Sequence, residues 1–292
     1  MPFGRLLTAM VTPLYPDESV NYEAAARLAR HLVDTGTDGV VVTGTTGESP
    51  TLTSEEKLAL YRAVKEAVGD RAPVIAGTGS YCTRESVELT REAERVGADG
   101  ILAVVPYYNN PPQEGLYQHF RAMAESTALP IILYNIPTRS PRNMEADTVV
   151  RLAEIPNVVA IKESSGKLEQ IAEIVSRTPA SFRVYSGDDS STLPLMSIGG
   201  YGIVSVVAHL AGKQIKQMVE AFAAGRVAEA AELHGQLLPL FQATFCAPNP
   251  IPVKAAMSLL GIECGPVRLP LVNATEKEFA TIKAAMQALG LV

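Results

Sequence analysis

The chain predicts an α/β fold, a closed parallel (β/α)8 barrel followed by a C-terminal helical appendage. Two observations carry this. Eight short apolar runs recur roughly every 20 to 34 residues, with helically periodic segments between them. Short unbroken apolar runs are the mark of strands buried on both faces. After Ala208 the alternation stops and only helical patterns follow. An open doubly wound sheet is the rival for such alternation, but it usually places a Gly-x-Gly-x-x-Gly turn after its first strand. Val11-Thr12-Pro13 supplies nothing of that kind.

The runs read as strands are Leu6-Val11, Val40-Val42, Val74-Ala76, Ile101-Val105, Ile131-Tyr134, Val158-Ile161, Phe182-Tyr185 and Ile203-Val207. Helical spacing marks Tyr22-Val33, Glu55-Val68, Glu85-Val96, Leu116-Ala124 and Ala146-Leu152, and Thr53 with Glu56 forms a capping box before the second of these. Three helix-to-strand junctions share a pattern: Gly36 to Gly39, Gly97 to Gly100 and Gly199 to Gly202. The first glycine of each suits a left-handed helix C-cap, and the second suits a tight turn into the strand. Helices over Lys213-Ala224, Val227-Phe245, Val253-Leu260 and Thr275-Leu289 exceed what one closing barrel helix needs. The division is therefore 1–210 for the TIM barrel and 211–292 for helices packed on it. No Ser- or Pro-rich linker intervenes, so the two form one folding unit.

At 292 residues and 47% hydrophobic content the chain is long enough for a large core. Its net charge of −6, with no block of like charges, argues against nucleic-acid or membrane-surface binding as the main task. No stretch approaches a membrane span, and no signal-peptide layout is present. Cys82, Cys246 and Cys264 are odd in number and scattered, which fits a reducing cytoplasm. The four histidines are equally dispersed, and no metal site or cofactor is implied.

Catalytic groups of such barrels sit at the C-terminal ends of the strands. Strand two here ends Thr43-Gly44-Thr45-Thr46-Gly47-Glu48-Ser49, strand four Pro106-Tyr107-Tyr108-Asn109, and strand five Tyr134-Asn135-Ile136-Pro137-Thr138-Arg139. Strand six ends Ile161-Lys162-Glu163-Ser164, and strand seven Ser186-Gly187-Asp188-Asp189. Lys162 is the most informative. An amine at the end of an apolar strand is desolvated, which disfavours the ammonium, and a neutral amine attacks a ketone to form a Schiff base. The plain alternative is a lysine that leaves the sheet to pair with Glu163. Gly44-Thr45-Thr46-Gly47 reads as an anion cradle or as a simple tight turn. Tyr107, Tyr108 and Tyr134 read as packing aromatics or, at a barrel mouth, as proton relays. Arg139 is a solvated loop charge or a fork for a carboxylate. Lys254, near a helix start beyond the barrel, has a structural role, and the other lysines lie in patterns that look solvated.

As a set, these residues resemble the dihydrodipicolinate synthase and N-acetylneuraminate lyase family of pyruvate-dependent class I aldolases, from Thr12-Pro13 through Asn249-Pro250-Ile251-Pro252-Val253-Lys254. The resemblance implies a Schiff base between Lys162 and pyruvate, with Thr45 and Thr46 on the pyruvate end. It implies a relay of Thr45, Tyr134 and a Tyr108 from the neighbouring subunit, and backbone approach at Gly187 and Val204. Arg139 points to the synthase branch, in which it binds the carboxylate of aspartate semialdehyde; lyases acting on sugar-derived 2-keto acids are the alternative. Ser140-Pro141-Arg142 departs from the Thr-Gly with which synthases commonly continue. The resemblance further implies a homotetramer built as two tight dimers and a regulatory lysine site. Ser49, Glu85 and Tyr107 match that site, whereas Ser54, Lys57 and Tyr81 stand where lysine-sensitive enterobacterial members have histidine, histidine and asparagine. A fixed cation at Lys57 predicts weak feedback by L-lysine. Two further readings are a carboxylate-binding scaffold module and a phosphate-binding barrel using Gly187 and Gly199-Gly200.

Overall fold

In the computed structural model, which describes residues 3–292, eight parallel strands close on themselves in chain order. They are β1 (Leu6–Ala9), β2 (Gly39–Val42), β3 (Val74–Gly77), β4 (Gly100–Val104), β5 (Ile131–Asn135), β6 (Val158–Glu163), β7 (Arg183–Ser186) and β8 (Gly202–Ser205). Around them lie α1 (Tyr22–Asp34), α2 (Ser54–Val68), α3 (Thr83–Arg95), α4 (Gln113–Ala124), α5 (Ala146–Ala153), α6 (Leu168–Arg177), α7 (Thr192–Ser197) and α8 (Ala208–Ala223). Three more helices follow, α9 (Val227–Thr244), α10 (Ile251–Leu259) and α11 (Glu276–Ala288). The expected (β/α)8 barrel with helical appendage is the fold. No helix among the described residues is long and apolar enough to cross a membrane.

Side chains alternate along each strand, which splits the apolar interior in two. Leu7, Val41, Ile75, Leu102, Ile132, Ala160 and Val204 fill the barrel. A larger layer, with Leu28, Leu60, Phe120, Val149, Ile174 and Val219, joins the barrel's outside to the helices. The capping box at Thr53 and Glu56 starts α2. Gly36, Gly97 and Gly199 adopt φ of +110°, +94° and +97°, as C-caps of this kind require.

The second glycine of each junction serves another purpose than the expected turn. Gly39, Gly100 and Gly202 are the first residues of β2, β4 and β8, and a Cβ at each would strike Leu7, the Phe3 ring and the Arg5 carbonyl respectively. These glycines make room for close packing at the barrel floor. The closing helix also starts earlier than periodicity indicates. Ser205 Oγ accepts from the Ala208 amide at 2.9 Å, and Asp189 accepts from Val206 and Val207 at 3.1 and 3.4 Å. A carboxylate from the end of β7 thus caps α8. The division expected after residue 210 falls at a break inside this helix, where Ala211 has φ −136° and ψ 40°.

Candidate active site

Lys162 and Tyr134 are paired rungs of β6 and β5, both directed into the barrel. Lys162 Nζ lies 4.2 Å from the centroid of the Tyr134 ring, and the two residues are each only 4% exposed. Facing them is Gly187, where an added Cβ would strike Ser164 Oγ and lie 2.8 Å from Lys162 Cε. Any side chain at 187 would displace the lysine, so the Gly187 backbone lies close against Lys162. Glu163 does not pair with Lys162. One residue further along the strand, it points to the opposite face, where its carboxylate accepts from Asn135, Ser165 and Gln170.

The turn after β2 is held by Gly47 N–H to Gly44 O and Glu48 N–H to Thr45 O, each 3.1 Å. Two of its residues adopt left-handed φ without being glycine: Thr43 at +55° and Glu48 at +56°. Such conformations persist only where the surroundings over-determine them. Thr43 Oγ1 is 2.7 Å from the Tyr61 hydroxyl and donates to Gly77 O at 3.1 Å. Glu48, buried, accepts from Lys254 Nζ at 2.9 Å and from the Arg268 amide at 2.8 Å. Lys254 is equally buried, donating also to Thr12 O at 3.0 Å and to Pro266 O. Burial pushes its ammonium pKa below the ordinary value while Glu48 pulls the other way. Lys254 is therefore a buried tie between the appendage and this turn. A second tie is Asn249, which donates from Nδ2 to Thr46 Oγ1 at 2.9 Å and accepts from Arg139 on its main-chain oxygen at 3.4 Å.

A cavity of about 520 Å³ opens at this mouth. Thr45, Tyr134, Ile136 and Arg139 line it together with Ser49, Lys57, Tyr81, Glu85 and Tyr107. The structure thus gathers five regulatory candidates and three catalytic or binding ones around one space. Lys162 does not line it but sits against the Tyr134 ring. Val204 is wholly buried inside the barrel, and Thr46 beneath the turn. Tyr108 is 86% exposed and does not enter its own chain's cavity. Tyr81 meets Tyr107 edge-on at 5.4 Å. Lys57, expected among the solvated lysines, is instead half-buried, and desolvation lowers its pKa against the opposing pull of Glu85. Tyr107 is raised, chiefly by desolvation.

Two expectations are corrected. Asp189, read with the groups of the mouth, is buried beneath it as the cap of α8, and burial raises its pKa to about 6. Gly187 lies at the mouth, whereas Gly199 and Gly200 precede β8 at the opposite end, so they share no phosphate site. Among the described residues no three of His, Cys, Asp and Glu form a metal-holding group.

The dihydrodipicolinate synthetase family matches residues 2–289 of this chain. The 4-hydroxy-tetrahydrodipicolinate synthase of Moorella thermoacetica is 61% identical over 292 residues, covering 100% of both chains. That of Desulforamulus reducens is 57% identical, covering 99% of this chain and 98% of its own. Among solved structures, a Cyanidioschyzon merolae DHDPS with lysine bound superposes with a TM-score of 0.98 at 49% identity, covering 99% of each chain. The Aquifex aeolicus dihydrodipicolinate synthase gives 0.97 at 43%, again covering 99% of each.

Proposed function

The chain belongs to the dihydrodipicolinate synthetase family, and on that premise we propose that Lys162 carries its chemistry as a Schiff-base lysine. The reaction condenses pyruvate with L-aspartate 4-semialdehyde to 4-hydroxy-tetrahydrodipicolinate, a step of lysine and diaminopimelate biosynthesis. Identity above one half to synthases over the full length disfavours a sugar-acid aldolase.

Lys162 Nζ attacks the ketone of pyruvate and water leaves, giving an iminium. The iminium draws electrons from the neighbouring methyl group, so a methyl proton departs and an enamine forms. The enamine carbon attacks the aldehyde, whose oxygen takes up a proton. The amine of the aldehyde substrate then displaces Lys162 and closes the ring. Tyr134 is the group to carry protons, because it already lies against Lys162. Thr45 and Thr46 hold the pyruvate carboxylate, and Arg139 the carboxylate of the aldehyde, across the cavity that Thr45 and Arg139 both line. Gly187 and Val204 shape the floor of the site. In the homotetramer of this reading, two tight dimers place each Tyr108 in the neighbour's relay, and its 86% exposure suits that reach. The ties from Asn249, Lys254 and Arg268 to the β2 turn support treating 1–210 and 211–292 as one folding unit. Three free cysteines suit the cytoplasm.

The observation that carries this reading is the placement of a nearly buried lysine against Tyr134 beside a glycine that no side chain could replace. Borohydride reduction with pyruvate, followed by mass mapping, tests it. The expected adduct is on Lys162 alone; labelling at Lys254, or none, overturns it.

A further inference from the structure

The last rungs of β5 and β6 carry two pairs in succession. Tyr134 stands beside Lys162 inside the barrel, and the next rung sets Asn135 beside Glu163 outside it. Asn135 is 0% and Glu163 2% exposed. Asn135 Nδ2 donates to both carboxylate oxygens, at 3.2 and 3.1 Å. Ser165 N–H donates to the same carboxylate at 2.7 Å and Gln170 Nε2 at 3.5 Å. Asn135 cannot turn over freely, because its Oδ1 accepts from the Met144 amide at 3.0 Å. Burial raises the pKa of this carboxyl, and the donors from Asn135, Ser165 and Gln170 oppose that shift by favouring the carboxylate.

This pair lies above an irregularity. Ile131 pairs with Val158 but Ile132 pairs with Ala160, so β6 gains one residue on β5. A slip of one residue exchanges the two faces of a strand, and the lower rungs therefore do not dictate which β6 side chain meets Tyr134. Above the bulge the new register runs through Ile132 with Ala160 and Leu133 with Ile161 and ends at the Asn135–Glu163 contact. We propose that Asn135 and Glu163 are a positioning pair: their hydrogen bond on the outer face locks the upper register of β5 and β6 and so holds the Tyr134 ring against Lys162. This rests on the reading of Lys162 as the Schiff-base lysine.

The polarity of the pair makes the test specific. Asn135→Asp sets one carboxylate against another and breaks the contact, whereas Glu163→Gln keeps one oxygen for Asn135 and Ser165 but turns its amide N–H toward Asn135 and Gln170, which weakens it. Together they restore this contact with donor and acceptor exchanged, at the loss of the 3.0 Å bond from Asn135 Nδ2 to Asn143 Oδ1. The new carboxylate at 135 still serves the Met144 amide, while the new amide at 163 keeps its oxygen for Ser165. The measurements are kcat, KM for pyruvate, the borohydride trapping rate and the folded fraction from thermal unfolding. Each single variant is expected to lose about 10- to 100-fold in kcat and trapping rate, the scale of an ångström-sized misplacement, at near-constant KM for pyruvate. The double variant is expected within about tenfold of the parent. Folded single variants that keep parental kcat and trapping overturn the proposal. So does a double variant that regains its melting temperature while staying a hundredfold or more slow. Should neither single variant fold, the double variant alone decides by the same limits. Failure of the Schiff-base reading is separate: the unsubstituted enzyme would then yield no adduct on Lys162.

Discussion

The two ends of the barrel solve opposite problems. At the floor, local backbone rules are obeyed and space is the constraint: Gly39, Gly100 and Gly202 let Leu7, Phe3 and Arg5 press against the strand starts. Tyr185 seals the same end, donating from its hydroxyl to Gly4 O at 2.9 Å. At the mouth the rules are broken. Thr43 and Glu48 sit at positive φ, and the charged residues Lys162, Glu163, Glu48 and Lys254 are buried. Nothing about burying an apolar core asks for either. The contrast teaches where to look for function, since departures from local consistency gather where stability has been given up for chemistry.

Substitutions can break that contrast or sharpen it. Tyr134→Phe at the mouth is expected to lower turnover about 10²- to 10⁴-fold, as for a lost acid-base group, with little change in melting temperature. Turnover at the parental level would return Tyr134 to packing and weaken the division between the ends. Lys254→Met leaves Glu48 buried without its cation, and such losses cost about 3–5 kcal/mol. Urea denaturation reads this directly, and a loss below about 1 kcal/mol would show that the Arg268 amide satisfies Glu48 unaided.

At the floor, Gly202→Ala forces a methyl group onto the Arg5 carbonyl and is expected to destabilise by about 1–3 kcal/mol. Its kcat should stay within about twofold of the parent; a large loss of turnover in folded protein would mean that floor and mouth are coupled. The smallest expected effect lies within the mouth cavity. Lys57, half-buried and near Glu85, lines this cavity, so a lysine ligand bound beside it would bring a second cation close. Two like charges about 6 Å apart repel by roughly 3 kcal/mol at an effective dielectric of about 20. L-lysine at about 1 mM is therefore expected to change the steady-state rate by less than twofold, and half-inhibition below that concentration would refute it.

The strands and the glycine caps before them are legible in the sequence because their signals are local. An unbroken β-branched run such as Val158 to Ile161 declares a buried strand, and strand ends then point to Lys162, Tyr134 and Arg139. What stayed hidden depends on residues distant along the chain. Asn249 meets Thr46 across 203 positions, and no periodicity forecasts it. Helical spacing alone starts α8 at Lys213 rather than Ala208, because Asp189, which holds the Val206 and Val207 amides, comes from the loop after another strand. The six residues of α7, with Pro194 among them, are too few to show a period. Pairing Glu163 with Lys162 conflicts with strict alternation along β6, which sends the two side chains to opposite faces.

The tie between Lys254 and Glu48 spans 206 positions, and this bears on how the enzyme comes into being on the ribosome. All eight strands have been synthesised once Ser205 is added, and contacts between neighbouring strands can form as the chain emerges. The turn that carries Thr45 and Thr46 must wait for residues 249 to 268. Contacts so far apart in sequence are slow to close. A nascent chain can therefore hold a nearly complete barrel with an unset mouth, and catalytic competence arrives late, when its C-terminal quarter docks.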